Sequence, residues 1–155
     1  MSEKIRGAIF NSLGDIEGLT VLDAYAGTGA LSFEAISRGA KSAVAIDVDS
    51  AADRIISENI EKLGIGDKVK NVKAGITAWS RRHQTEKFNI IFLDPPYDNV
   101  VPKDAIKVAL DHSMQGSIVV LSLPPTMPIE LSATNYQQLS SKVYGDATVS
   151  IYRRK

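Results

Sequence analysis

Along this chain of 155 residues, short runs of consecutive apolar positions alternate with stretches in which apolar residues recur every three or four places. Residues 3–13 set Ile5, Ile9, Phe10 and Leu13 near helical spacing ahead of Gly14, which predicts a short amphipathic helix packed on the domain. An apolar run over 20–26 reads as a strand ending in a glycine-rich turn. Residues 30–38 then place Leu31, Ala35 and Ile36 on one helical face, with Gly39 as the stop. A second strand is predicted over 42–46, ending at Asp47, and a second such helix over 51–63 with Ile55, Ile56, Ile60 and Leu63 as its stripe. The alternation continues with a strand near 69–74, a short helix near 76–82, a strand over 88–93, a helix near 103–112 and a strand over 117–123. Past Pro124, Pro125 and Pro128 it stops: 136–143 and 147–152 are both strand-like and only Tyr144-Gly145-Asp146 separates them, so a hairpin closes the chain.

Strands alternating with helices predict an α/β fold: a Rossmann-like, mostly parallel seven-stranded sheet, helices on both faces, and a C-terminal antiparallel hairpin that sets it apart from a dinucleotide-binding domain. The length suits a single domain spanning 1–155. In an open sheet of this kind a ligand lies beyond the carboxyl ends of the strands, where the glycine turn, Asp47 and Asp94 all fall.

Composition narrows the chemistry. Lys plus Arg and Asp plus Glu stand at 18 each, so no global field draws the chain to nucleic acid and any basic footprint is local. There is no cysteine, hence no disulfide or thiolate metal site. His83 and His112 alone make a poor ligand set and read as surface residues, so a metal-free enzyme is expected. The charged N-terminal residues do not resemble a secretion signal, and no apolar run approaches the roughly 18 residues of a membrane span, which makes the cytoplasm the expected location. Trp79 reads as core, and Arg153 to Lys155 as guards of a terminal strand's open edge.

Asp23-Ala24-Tyr25-Ala26-Gly27-Thr28-Gly29 joins the first strand to the first crossover helix. Its glycines leave the backbone open to a ligand, and the helix start beyond can donate N–H groups to an anion. For S-adenosylmethionine that anion is the methionyl carboxylate; Asp23 would receive the ammonium group directly or through water, and Asp47, twenty residues after Gly27, the ribose hydroxyls. The same spacing suits a dinucleotide. Ser32 in place of the third glycine, and an acid that would repel a pyrophosphate, favour the sulfonium cofactor.

Asp94-Pro95-Pro96-Tyr97 closes the strand over 88–93. Two prolines remove both N–H donors there and fix the backbone, leaving a wall that accepts hydrogen bonds. Such a wall suits an exocyclic amine whose lone pair is delocalised into a ring, because acceptors on its hydrogens favour the pyramidal nitrogen of the transition state. Asp94 and the Pro95 carbonyl would hold the amine while Tyr97 stacks on the base. Methylation of that amine follows, with adenine N6 or a catalytically silent binding module as competing readings.

Taken together, these blocks resemble the RsmD-type bacterial methyltransferases, which modify the N2 amine of one guanine in 16S ribosomal RNA. The resemblance rests on Lys4-Ile5-Arg6 with Ile9-Phe10-Asn11, Val21 to Leu31, Glu34-Ala35, Ser37-Arg38-Gly39-Ala40, Asn59, Phe92 to Tyr97, and Lys142-Val143-Tyr144-Gly145 with Tyr152. It implies a class I methyltransferase fold, S-adenosylmethionine as cofactor, and the 94–97 segment as the target-base site. The expected cofactor contacts are Asp23, Ala24, Tyr25, Gly27, Thr28, Gly29, Asp47, Val48, Ala74, Gly75 and Asp94. The helix over 1–14 should border the active crevice, with Lys4, Arg6 and Asn11 as contacts to ribosomal RNA or a small-subunit particle. Three departures stand out: no basic hairpin precedes Ser2, Ala74-Gly75 replaces an acid that meets the adenine amine, and no glutamate stands near Ser122 or Leu123. A smaller RNA surface and a weaker hold on the cofactor are the expected results.

Overall fold

The computed structural model describes residues 1–96 and 102–155. Ser2 opens α1 (Glu3–Leu13) by accepting a hydrogen bond from the Ile5 N–H, and Gly14, at φ 70°, ends it. The alternation read from the sequence then appears in order: β1 (Thr20–Asp23), α2 (Ala30–Ser37), β2 (Ser42–Asp47), α3 (Ser50–Leu63), β3 (Val69–Lys73), α4 (Ile76–Ser80) and β4 (Phe88–Leu93). α5 (Lys103–Leu110), β5 (Ser113–Leu123), β6 (Tyr136–Tyr144) and β7 (Ala147–Arg154) complete it. The strands lie in one sheet in the order β3-β2-β1-β4-β5-β7-β6. β1 to β5 pair in parallel, while β7 runs antiparallel to both β5 and β6.

Alternating side chains send each strand's apolar residues to two cores. On one face α1, α2 and α3 cover Val21, Ala43, Ala45, Ile90, Phe92 and Val120 with Ile9, Phe10, Leu31, Ala35 and Ile56. On the other, α4 and α5 bring Ile76, Trp79, Ile106 and Ala109 onto Leu22, Ile46, Ile91, Leu93, Val119 and Leu121. The expectation of helices on both faces is met. Phe10 tilts at 56° against Phe92 with ring centroids 5.6 Å apart, which fixes α1 over the carboxyl end of β4.

Four local expectations are corrected. In α3 the buried positions are Ala52 and Ile56, while Ile55 and Leu63 are exposed, because the stripe follows a spacing of four from the smaller Ala52. β5 begins at Ser113 rather than 117; an excursion with Gly116 at φ 85° precedes the regular pairing, and Ser117 Oγ closes it, accepting from Met114 N and donating to the Phe88 carbonyl. β7 is an interior strand, so Arg153 to Lys155 guard no open edge; Arg154 instead donates to Ser113, and Lys155 to the Ala133 carbonyl. Nor are the histidines surface residues. His112 is buried, with its ring nitrogens 2.7 Å from the Glu86 carbonyl and 2.8 Å from Ser80 Oγ. His83 is half-buried and stacks on Trp79 at 4.6 Å.

Replacing Phe10 by Ala should cost about 3 to 5 kcal/mol, since it empties a fully buried ring position against a sheet that cannot collapse into the space. Urea denaturation of the two proteins measures the difference. A loss below about 1 kcal/mol would mean that α1 is not anchored as described.

Candidate active site

The parallel pairing of β1 between β2 and β4 brings three acidic strand ends to the same edge of the sheet: Asp23, Asp47 and Asp94. Past Asp23 the chain turns through a tight loop. Ala26 N–H donates to the Ile46 carbonyl at 2.9 Å and Gly29 N–H to the Ala26 carbonyl at 2.7 Å. Asp47 holds the loop's tip, accepting from Gly27 N–H at 2.8 Å on Oδ2 and from Asp49 N–H at 2.9 Å on Oδ1. Each oxygen keeps a lone pair for a further donor. Capping of α3 falls to Asp49, whose side chain accepts from Ala51 N–H.

The two loop glycines differ in purpose. Gly27, at φ 56°, faces open space, and a Cβ built there meets nothing within 4 Å. Gly29, at φ 80°, is packed: a Cβ would lie 2.8 Å from the Phe33 ring and 3.1 Å from Ile56 Cγ1. Gly29 therefore sets the turn and the seat of α2, whereas Gly27 leaves a cradle.

A cavity of about 530 Å³ opens above this loop, within the range of cofactor sites. Ala24, Tyr25, Gly27, Thr28, Asp47, Val48, Ala74, Gly75 and Asp94 line it, as do Ala30 and Leu31 at the start of α2. Asp23 and Gly29, expected at the same site, do not line it. Asp23 is fully buried beneath the loop; its Oδ2 accepts from Ser32 Oγ at 2.8 Å, and its Oδ1 has no partner. Burial, with the nearby Asp94 and Asp47 charges, raises its pKa from 3.8 to about 7, although the Ser32 hydrogen bond opposes the shift. The Tyr25 hydroxyl is likewise buried without a partner. An open glycine and a free acceptor on each Asp47 oxygen fit a group carrying a diol, and the orphaned Asp23 oxygen, sealed beneath the loop, can meet an ammonium only through an intervening water.

A second cavity, about 370 Å³, lies on the other side of Asp94. Pro95, Pro96, Ser122, the hairpin-tip residues Asp146 and Ala147, and Met1, Ser2 and Ile5 line it. The start of α1 thus borders this cavity. Lys4 and Asn11 are exposed and Arg6 is half-buried on that helix, and none of them lines either cavity. Tyr97 lies outside the described residues. Asp94 is half-buried; burial pushes its pKa above the ordinary carboxylate range, and the Ser122 hydroxyl, donating to it, works the other way. The sequence reading missed Ser32 and Ser122 as partners of the two acids and Asp146 as part of the wall. Only register could have found them: Ser32 lies one turn into α2 over Asp23, and Ser122 sits on the strand beside Asp94.

Comparison with known proteins places the chain in company. The sequence profile of the family described as conserved hypothetical protein 95 matches residues 1–153. The chain is 26% identical over 162 residues to ribosomal RNA small subunit methyltransferase D of Escherichia coli (strain K12), covering 99% of this chain and 78% of that one. It is 22% identical over 156 residues to the protein of the same name from Haemophilus influenzae, covering 97% and 80%. A conserved hypothetical protein of Streptococcus pyogenes superposes with a TM-score of 0.85 at 29% identity, covering 97% of this chain and 95% of that structure.

Asp23 gives the site a pH signature. The folded chain keeps its proton to about pH 7, whereas the unfolded chain releases it near 3.8, so the folded state binds the extra proton between those values. Its contribution to stability therefore falls as pH rises through that window and is constant above it, a penalty on the order of 4 kcal/mol when complete. Asp23→Asn should be more stable than the parent by an amount that is small below pH 4 and grows to a plateau above pH 7. Urea titrations at pH 4, 5.5 and 8 read this; a pH-independent difference would contradict the buried, protonated carboxyl.

Proposed function

Because the chain belongs to the conserved hypothetical protein 95 family, whose RsmD-type members it resembles in sequence, we propose that it methylates the N2 amine of a guanine in 16S ribosomal RNA, using S-adenosylmethionine. The fold is that of class I methyltransferases. The observation that carries the proposal is that the two cavities meet at Asp94 and Pro96, which line both. A donor site and an acceptor site sharing one carboxylate is the layout that direct transfer between two bound molecules requires.

In the larger cavity, the cradle over Gly27 and the first turn of α2 would take the methionyl carboxylate, Asp47 the ribose hydroxyls, and Asp23, beneath the loop and outside the cavity lining, the ammonium group through water alone. Ala74 and Gly75 would flank the adenine with packing and backbone groups alone, consistent with a modest affinity. Bound there, the cofactor supplies an electrophilic methyl on a sulfonium. Across the seam, Asp94 and the Pro95 carbonyl would accept from the amine hydrogens, stabilising the positive charge that develops on nitrogen as the nitrogen–methyl bond forms and the sulfur–methyl bond breaks; the methylated amine would then give its extra proton to the Asp94 carboxylate, and from there to water. The role of Tyr97 as a stacking platform follows from the motif.

The acceptor wall favours guanine over adenine. Its carboxylates, Asp94 and Asp146, face a cavity in which the Ser122 hydroxyl is committed to Asp94. Guanine offers two neighbouring donors, N1–H and the N2 amine, whereas adenine sets its amine beside a ring acceptor that carboxylates repel. A base must leave its stack to enter such a pocket. Lys4, Arg6 and Asn11 on α1, whose start walls the cavity, are assigned the flanking phosphates of ribosomal RNA or of a small-subunit particle.

Incubation with methyl-labelled cofactor and, separately, assembled small subunits, naked ribosomal RNA, DNA and protein, followed by nucleoside mapping, should place label on guanine N2. Label on adenine N6, or none from a folded protein that binds the cofactor, would overturn the assignment. Asp94→Ala should lower turnover by about 100-fold or more. Calorimetric cofactor binding in that variant should stay within about tenfold, near-normal transfer being the contrary result.

A further inference from the structure

We infer that Ser122 is a positioning residue for the transfer step: from the end of β5 its hydroxyl donates to the Asp94 carboxylate and aims it across the seam between the two cavities. The inference rests on the assignment of Asp94 as the amine acceptor. Its basis is register. β4 and β5 pair in parallel with Leu93 opposite Leu121, so the next residues of the two strands, Asp94 and Ser122, emerge side by side at the carboxyl edge.

Ser122 is well placed to hold a neighbour still. It is 2% exposed, its strand is paired on one side with β4, and on the other it stands opposite Val149 of β7. A hydroxyl on a backbone locked from both sides offers a fixed donor, and a fixed donor selects one carboxylate orientation among the several open to an unanchored aspartate. Misplacement of a reacting contact by about 1 Å costs on the order of 100-fold in rate.

The choice of a neutral donor also has a reason. Asp146 shares the cavity wall with Asp94, and Asp23 lies behind it near enough to feel its charge. Across the same cavity the amino group of Met1 favours the charged form of Asp94. A second carboxylate at position 122 would compete with Asp94 for a proton, whereas a serine hydroxyl stabilises the ionised acceptor without adding charge.

The test has a structural and a kinetic arm. Carbon-detected NMR titration of the Asp94 carboxyl needs no substrate; Ser122→Ala should titrate at higher pH than the parent, and Ser122→Thr, which keeps the hydroxyl, close to the parent. In steady-state methyl transfer, Ser122→Ala should lose 10- to 100-fold in kcat with cofactor KM within twofold. The acid limb of its rate profile should move to higher pH, and the Thr variant should recover most of the rate. An Asp94 titration unchanged in Ser122→Ala overturns the inference. So does an equal rate loss in both variants with the acid limb unmoved, which would mark Ser122 as packing alone. Failure of the parent to methylate any substrate counts against the assigned reaction and leaves the NMR arm to decide the hydrogen bond.

Discussion

Three carboxylates placed at the ends of neighbouring strands repel one another, and the site exists because the pairing of β1 with β2 on one side and β4 on the other leaves them no other arrangement. The sheet supplies the force that holds them there. Leu22, Ile46, Ile91 and Leu93 below the edge are almost entirely removed from water, and burial of such side chains is worth roughly 1.5 to 3 kcal/mol each. Electrostatic strain of a few kcal/mol at the rim is affordable against a core of that size, and it is concentrated where a cationic ligand would relieve it.

Each acid copes with its neighbours differently. Asp47, at the surface of the loop, is satisfied by two backbone N–H groups and serves as the loop's buckle. Asp23 cannot reach water, and its burial drives it toward the neutral form. Asp94 is half-buried, as Asp47 is, but with a hydroxyl donor that restores part of the hydration it has lost. One sheet edge therefore carries a structural acceptor, a proton-bearing acid and a hydroxyl-held acceptor, distinguished by their surroundings and not by residue type.

Much of this was legible in the sequence because the deciding signals are local. Apolar periodicity placed every strand and helix, and glycine and proline marked the turns around them. Asp23, Asp47 and Asp94 could be assigned to one edge because each closes an apolar run. What the sequence did not disclose depends on who neighbours whom. The order β5-β7-β6 is one such case: a hairpin read along the chain does not say which arm faces the sheet, although β7, with Val149, Ile151 and Tyr152 buried, is plainly more apolar than the mostly exposed β6. The burial of His112 is another. A lone histidine after a helix looks like surface until Glu86 and Ser80, remote in sequence, turn out to satisfy both ring nitrogens. Ser122 escaped for the same reason, since its meaning comes from the strand beside it.

The insertion of β7 between β5 and β6 has a consequence for biosynthesis. Loop, buckle and cradle are all encoded before residue 76, yet the far wall of the second cavity, Asp146 and Ala147, and the outer neighbour of Ser122, Val149, come from the last strand pair. A ribosome releasing this chain has already emitted every other residue lining the two cavities when Asp146 and Ala147 emerge. The wall they form is the last part of the crevice to be built, and its placement waits for the final strand to enter the slot between β5 and β6.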